Sequence, residues 1–293
     1  MGILDGKTII ITGAGRGLGR EHALLVASEG ANVVVNDLGG SLDSEGADKA
    51  AAQMVVEEIV DAGGNAVGNV DNIATIEGAS NLLDTAIKNF GDVTGLVNNA
   101  GIIRDHMLVN MTEEEWDSVI NVHLRGHFCP TRVLSEYWRG QSKDGKEVKA
   151  TMVHTTSTSG LLGNVGQTNY GAAKAGIAAF SQICAMELDR YGVRSNAIAP
   201  AARTRMTEHT PGFEDMVKKP EDETEFDAWH PGNVSPMIAF LSSDRCTFTG
   251  QTFLVTGGLV QKFVPWSLSE TEKLERESRW TPSELADSFD SMS

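Results

Sequence analysis

The sequence predicts an α/β protein, a doubly wound sheet of seven parallel strands with helices on both faces. Two observations carry this expectation. Short β-branched runs alternate with longer helical patterns, and a glycine-rich turn stands where the first run feeds its helix. "TIIIT" (8–12) and "NVVVN" (32–36) are the first two strands, followed by "AVGNV" (66–70) and "GLVNN" (95–99). "TMVHT" (151–155), "RSNAIA" (194–199) and "TFLVT" (252–256) complete the seven. The segments between them are long enough for crossover helices, which parallel neighbours require. No internal repeat or low-complexity linker interrupts the series.

Three segments break the rhythm. "GGSLDSEGAD" (39–48) lengthens the turn after the second strand. Residues 202–230 hold eight Asp/Glu with Pro211 and Pro220, between the sixth strand and the next helix. Loops at strand C-termini border the ligand crevice of an open α/β sheet, so this insertion is a candidate lid, or else a solvated acidic loop. Beyond Lys262, "SLSE" (267–270) and "TPSE" (281–284) both fit a capping box, and Pro282 suits a first helical position. The organisation expected is a main domain over 1–262 and an extension of two short helices over 263–293.

Composition limits the partners. The chain has 293 residues, enough for one large core. A net charge of −16 argues against nonspecific binding to nucleic acid or to an anionic membrane surface. No apolar run approaches the roughly 18 residues of a membrane helix, and "MGILDGKTIIITG" lacks a signal-peptide pattern. Cys129, Cys184 and Cys246 are widely spaced, without metal-ligand spacing, and read as reduced thiols. No metal is expected, and the cytoplasm is the expected compartment.

"TGAGRGLGRE" (12–21) lies between a predicted strand and a predicted helix. Gly13, Gly17 and Gly19 let the backbone turn, approach a pyrophosphate and pack the helix on the sheet; the N–H groups around Leu18 then face the anion. Asp37, ending the second strand about 20 residues on, can accept from both hydroxyls of an adenosine ribose and repels a 2′-phosphate. It favours NAD. Arg16 stays open to three readings: a partner for that phosphate, an ion pair with Asp37, or a solvated side chain. Asp71, ending the third strand, is placed for an adenine amine or is an ordinary turn aspartate. "NNAG" (98–101) puts Asn99, Ala100 and Gly101 where the fourth strand reaches the cofactor.

The reacting end has its own pattern. Ser157 follows the fifth strand in "TTSTSG" (155–160), and Tyr170 and Lys174 stand four apart in "GQTNYGAAKAG" (166–176). On one helix they share a face. Removing a hydroxyl proton while a hydride leaves needs a base, and a phenol of pKa about 10 is a poor one near neutrality. A positive charge about 6 Å away, at an effective dielectric of about 20, contributes roughly 2.8 kcal/mol, or about two pKa units. Lys174 and the oxidised nicotinamide ring are the two charges expected to act in this way, with Ser157 to hold the substrate oxygen and Asn121 to anchor a water that passes the proton on. Asn121 has a plainer reading as a polar residue on a helix surface. The small residues around Tyr170 are expected to leave room for ligands.

"TGAGRGLG", "NNAG", Asn121, Ser157 and the Tyr170–Lys174 pair, at these spacings, resemble the short-chain dehydrogenase/reductase family over roughly residues 5–260. The resemblance implies a Rossmann-like fold, NAD as cofactor, Tyr170 as base and a homodimer or homotetramer. It also implies that Lys174 binds the nicotinamide ribose and that Pro200 and Thr204 line the cofactor. "VVVNDLGGS", "NNAGIIRD", "VHLRGHF" and "GNVGQTNYGAAKAG" look like the dehydrogenase part of the peroxisomal multifunctional β-oxidation enzymes, which implies a (3R)-hydroxyacyl-CoA substrate. A hydroxysteroid, or a steroid side chain as its CoA ester, is the alternative. A scaffold that binds cofactor without turnover would instead be expected to lack Ser157, Tyr170 or Lys174. Here the usual Pro-Gly after the sixth strand is Pro200-Ala201. The acidity of the chain also leaves a CoA thioester to local cations such as Arg104, His106, Arg203 and Arg205, each of which is otherwise a solvated side chain.

Overall fold

The computed structural model describes residues 2–39, 50–204, 217–222 and 224–289. Most of the turn over 39–48, the lid residues 205–216 with Arg205, and Glu223 lie outside the described residues. Two compact units are present, Met1–Phe263 and Val264–Ser293.

The first unit is built on an eight-stranded sheet in the order β3-β2-β1-β4-β5-β6-β7-β8. The strands are β1 (Thr8–Thr12), β2 (Asn32–Asn36), β3 (Asn65–Asn69), β4 (Gly95–Asn98), β5 (Ala150–Thr155), β6 (Val193–Ala201), β7 (Thr252–Thr256) and β8 (Leu259–Lys262). All seven expected strands form, and all pair in parallel. The eighth was not expected. It turns back antiparallel on β7 through Gly257 and Gly258, pairing Thr256 with Leu259. Gly257 has φ +50°, as a two-residue hairpin turn of this kind demands. "TGGL" was the available signal.

The pattern of burial explains the layers. Every residue of β1, β4 and β5 is buried, because helices cover both faces of the central strands. One face packs Ile9, Ile11, Val33, Val35 and Val153 against α1 (Gly17–Ser28), α2 (Ala50–Asp61) and α8 (Ser235–Ser242). The other packs Ile10, Val34, Leu96 and Met152 against α3 (Ile76–Phe90) and α5 (Gly126–Lys143). On this second face α7 (Thr168–Leu188) covers β5 and β6, with Ser181 Oγ 3.1 Å from Ser195 Oγ. Trp138 of α5 is 1% exposed and donates from Nε1 to the Val93 carbonyl at 2.7 Å, so its one polar atom is met inside the core.

The register sets the working edge. Thr12 pairs with Asn36, Asn98 with His154, and Thr155 with Ile198. The strands thus end nearly level, and the residues that follow them share one edge. Between β1 and β4 the connections depart to opposite sides, which opens a crevice there.

In the second unit α9 (Pro282–Phe289) starts at the expected capping box: Thr281 Oγ1 accepts from the Glu284 N–H and Glu284 accepts from the Thr281 N–H. The helix expected at "SLSE" does not form. Ser269 Oγ still caps the Glu272 N–H at 3.0 Å, but Leu274 and Trp280 are the only large apolar residues of the next ten, too few to make a face worth burying. No helix among the described residues is long and apolar enough to cross a membrane.

Trp138→Ala should destabilise the first unit by about 3–5 kcal/mol, read as a lower midpoint in urea unfolding. An unchanged midpoint would contradict the packing described.

Candidate active site

Lys174 is 2% exposed, and its Nζ donates to the Thr155 carbonyl at the end of β5, at 2.7 Å. Thr156 Oγ1 donates to the Lys174 carbonyl at 2.6 Å. Together these fix α7 against the strand end. One turn earlier on α7, Tyr170 presents its ring 5.5 Å from Lys174 Nζ. Ser157 follows β5 and begins α6 (Thr158–Leu161), with its Oγ accepting from the Ser159 N–H at 3.1 Å.

The small residues have a packing reason beyond room for ligands. A Cβ on Gly160 would sit 2.4 Å from the Ala175 nitrogen, and one on Gly171 would sit 3.1 Å from the Ser159 carbonyl oxygen. Glycine at both positions lets α6 lie directly on α7. That close approach carries Ser157 towards the Tyr170 hydroxyl, near enough to ease its ionisation.

The glycine loop is equally constrained. Gly13 has φ +63°, and a Cβ there would lie 2.6 Å from the Ala100 Cα. A Cβ on Gly19 would lie 2.1 Å from the Gly13 carbonyl oxygen. Asn99 ties β4 to this loop, donating from Nδ2 to the carbonyls of Thr12 and Gly13, both at 3.1 Å. The start of α1 carries no side-chain cap and no acid in its first turn. α3 and α4 (Glu113–Ile120) are both capped, by Thr75 and Thr112. The α1 N–H groups are therefore left to an anion.

Asp37 is held by two backbone groups. Oδ2 accepts from the Gly15 N–H at 2.9 Å and Oδ1 from the Gly39 N–H at 2.8 Å. Gly15 is a residue the sequence reading passed over. Its signal was the alternation Gly13, Gly15, Gly17, Gly19, and its reason is Asp37, whose Oδ2 would be 2.8 Å from a Cβ at position 15. Asp71 is engaged on both oxygens, by Asn69 at 2.8 Å and Asn81 at 2.9 Å, which makes it a structured turn acid at the crevice wall.

A crevice of about 430 Å³ gathers these groups. Gly13, Arg16, Gly17, Leu18, Gly19, Asp37, Asp71, Asn99, Ala100, Gly101, Ser157, Tyr170, Lys174, Pro200 and Thr204 all line it. Asn121 does not. The chain winds from Asn121 to Arg125 as a π-helical turn, which leaves Asn121 exposed and brings Val122 and His123 to the crevice instead. His123 is buried, and its Nε2 lies 2.7 Å from the Ile102 carbonyl oxygen.

Two further residues secure the start of α7. Gln167 Nε2 donates to Asp105 Oδ2 at 2.7 Å, and Asn169 Nδ2 donates to the Arg104 carbonyl at 2.8 Å. A single parallel bridge between His106 and Gln167 joins the same two segments. The polar run "GQTN" before Tyr170 was the only trace of this clamp in the sequence.

Electrostatics correct one expectation. Burial draws Lys174 down to about 7. Burial pushes Tyr170 up to about 12; Ser157 works against that rise, and the Asp105 carboxylate adds to it. Loss of water outweighs the charge the sequence reading assigned to Lys174. Protein groups alone therefore keep the phenol protonated near neutrality. Of the four cations expected to meet a CoA thioester, the three among the described residues are also committed: Arg203 pairs with Asp227, and His106 with Glu115 at 2.7 Å. Arg104 donates to the Ile103 carbonyl at 2.8 Å.

The cradle fits a dinucleotide. Glycines stand where side chains would fill the loop, uncapped N–H groups stand where phosphates need donors, and Asp37 keeps free lone pairs on both oxygens.

Residues 7–215 match the family profile described as short chain dehydrogenase. Among curated relatives, hydroxyacyl-CoA dehydrogenase ChsB1 of Mycobacterium tuberculosis is 43% identical, over 96% of this chain and 87% of that one. Peroxisomal multifunctional enzyme type 2 of Drosophila melanogaster is 41% identical over 88% of this chain, which spans 40% of that longer protein. A solved short chain dehydrogenase from Mycobacterium avium superposes with a TM-score of 0.86 at 45% identity, covering 99% of this chain and 95% of that one. The chain belongs to the short-chain dehydrogenase/reductase family, oxidoreductases of CH–OH groups that use a nicotinamide cofactor.

Proposed function

We propose that the protein oxidises a secondary alcohol with NAD, and that the alcohol is the 3-hydroxyl of a (3R)-hydroxyacyl-CoA. The observation that carries this reading is the meeting of Ser157, Tyr170 and Lys174 at the crevice floor, with Asp37 at its far end. A bound oxidised nicotinamide would supply the hydride acceptor and a second positive charge. Ser157 Oγ positions the substrate hydroxyl. Tyr170 takes the hydroxyl proton, and its phenol becomes able to do so when positive charge beside it offsets the cost of burial. In the reverse direction the protonated phenol is already the proton donor. Lys174, anchored on Thr155, holds charge next to the phenol and would bind the ribose of a bound cofactor.

Two features support an acyl thioester. The relatives include a protein named as a hydroxyacyl-CoA dehydrogenase. Asn164 and Gln167 line the crevice, and apolar side chains next to them or to the bridged His106 in the chain, Leu108, Val109, Leu162 and Val165, are all exposed. An acyl chain suits exposed apolar side chains of this kind. The committed cations favour the second reading, an uncharged hydroxysteroid. A cytoplasmic homo-oligomer is the proposed working form.

NADH formation from matched (3R)- and (3S)-hydroxyacyl-CoA esters, with a hydroxysteroid in parallel, separates these readings. The (3R) thioester is the expected substrate; a silent thioester beside an active steroid would overturn the first reading. Tyr170→Phe should lower kcat by about 10²–10⁴-fold while NAD still binds, and full turnover in that variant would remove Tyr170 from the chemistry. Asp37→Ala should weaken NAD by about 10–100-fold, the loss of charge-assisted hydrogen bonds, and NADP by much less. Equal losses for both cofactors would show that Asp37 supports the loop without reading the ribose.

A further inference from the structure

Of the chain's five tryptophans, Trp229 is the one that lines the crevice, and the chemistry proposed gives it no part. It is half-buried and follows the insertion after β6. A closed ring of hydrogen bonds holds its backbone. The Arg203 N–H donates to the Trp229 carbonyl at 2.6 Å, and the Trp229 N–H donates to Asp227 Oδ1 at 3.2 Å. The Arg203 guanidinium completes the ring, donating from Nη1 to the same oxygen at 3.3 Å and from Nη2 to Asp227 Oδ2.

The ring is itself secured. Asn233 Nδ2 donates to the Asp227 carbonyl at 2.8 Å, and Arg203 Nη1 also reaches the Val217 carbonyl at 2.9 Å. The Arg203 and Asp227 side chains are each 15% exposed. Hydrogen bonds from Arg203, with a smaller effect from the Trp229 N–H, hold the Asp227 carboxyl below its usual range, so the pair stays charged at working pH. A sheltered, two-pronged arginine–carboxylate pair fixes geometry in a way that a solvated pair does not.

The same segment lies along the start of α1. A Cβ on Gly232 would be 3.3 Å from Glu21 Oε2, and Ser235 Oγ is 2.8 Å from His22 Nδ1. On the strand side, Thr204 Cγ2 would be 3.9 Å from a Cβ on Gly17. Trp229 is thus tied to the residue before Thr204 and lines the crevice with Gly17, Leu18 and Thr204. The uncapped N–H groups of α1 begin there.

An indole offers one donor, Nε1–H, and no acceptor. That of Trp138 is met by the Val93 carbonyl. Among the described residues nothing meets that of Trp229. A donor on the wall of a crevice, beside a helix N-terminus, suits an anion, and the ring that carries it excludes water from the contact.

We propose that Trp229 is a cofactor-binding residue whose indole N–H meets the pyrophosphate on its nicotinamide side, and that the Arg203–Asp227 pair is the positioning element that sets it there. This rests on the crevice holding a dinucleotide and is independent of which alcohol is oxidised.

The test is calorimetric binding of NAD, ADP-ribose and AMP to the full-length wild type, Trp229→Ala, Trp229→Phe and Asp227→Ala, each checked for folding by thermal melting. ADP-ribose keeps the whole pyrophosphate without the nicotinamide, and AMP keeps only the adenosine side. Trp229→Ala should weaken NAD and ADP-ribose by about tenfold and AMP by less than about twofold. Trp229→Phe retains a flat ring without the donor and should still weaken ADP-ribose by about fivefold. Asp227→Ala should show the same selective loss with Trp229 in place. Equal losses for all three ligands, or none, overturn the inference, and so does a loss confined to NAD, which would put the indole on the nicotinamide. Wild-type affinity for ADP-ribose in Trp229→Phe overturns the role of the donor; in Asp227→Ala it overturns the role of the ion pair.

Fluorescence gives a second readout. The emission of the wild type less that of Trp229→Phe isolates this indole, and ADP-ribose should change it; an unchanged difference overturns the proposal. A wild type that binds no ADP-ribose would overturn the dinucleotide reading and this inference with it, whereas a wild type inactive on every alcohol but able to bind would overturn only the reading of the substrate.

Discussion

The hydrogen bond from Lys174 to the Thr155 carbonyl joins the end of a central strand to the helix that carries the phenol. A charged amine buried to 2% exposure is costly, and one carbonyl meets only one of its three donors. The neighbourhood is organised around that cost. Gly160 and Gly171 bring α6 close enough to aim Ser157, and the clamp of Gln167 and Asn169 fixes where α7 begins. Loosening that anchor would let the phenol drift from the serine, whatever the rest of the sheet did.

Much of this was legible in the sequence, for definable reasons. Continuous apolar runs such as "TIIIT" mark strands buried on both faces, and all five of its residues are buried. Gly13 and Gly19 were readable because a strand–turn–helix needs them where they are. β8 was missed because its four residues are all exposed and carry no buried pattern. "SLSE" misled because a capping box describes only how a helix begins; the residues beyond it must still have a face to bury. Asn121 misled for a third reason: a π-helical turn changes which side chains face inward, and nothing in the spacing announces it.

The energetics of the site were the least legible. Sequence reasoning could place a positive charge near a phenol and calculate an attraction, but it had no measure of the water that both groups lose. In the folded chain that loss dominates, separating a phenol near 12 from an amine near 7. A site in this state is primed to donate a proton from oxygen. It becomes a base only as further positive charge arrives, so its two directions are set by what occupies the crevice.

The strand order has a consequence for how the molecule comes into being. β1 is laid down first and ends at the centre, β2 and β3 extend the sheet on one side, and β4 to β8 extend it on the other. Each new strand is added at a growing edge. On a ribosome elongating at about 5–20 residues per second, Gly15, Asp37 and Asp71 have been made soon after β3, and Ser157, Tyr170 and Lys174 only after β5. The half that grips a cofactor thus precedes the half that uses it. A nucleotide binding that early would stabilise the nascent sheet by mass action, giving the cofactor a part in the birth of the protein as well as in its work.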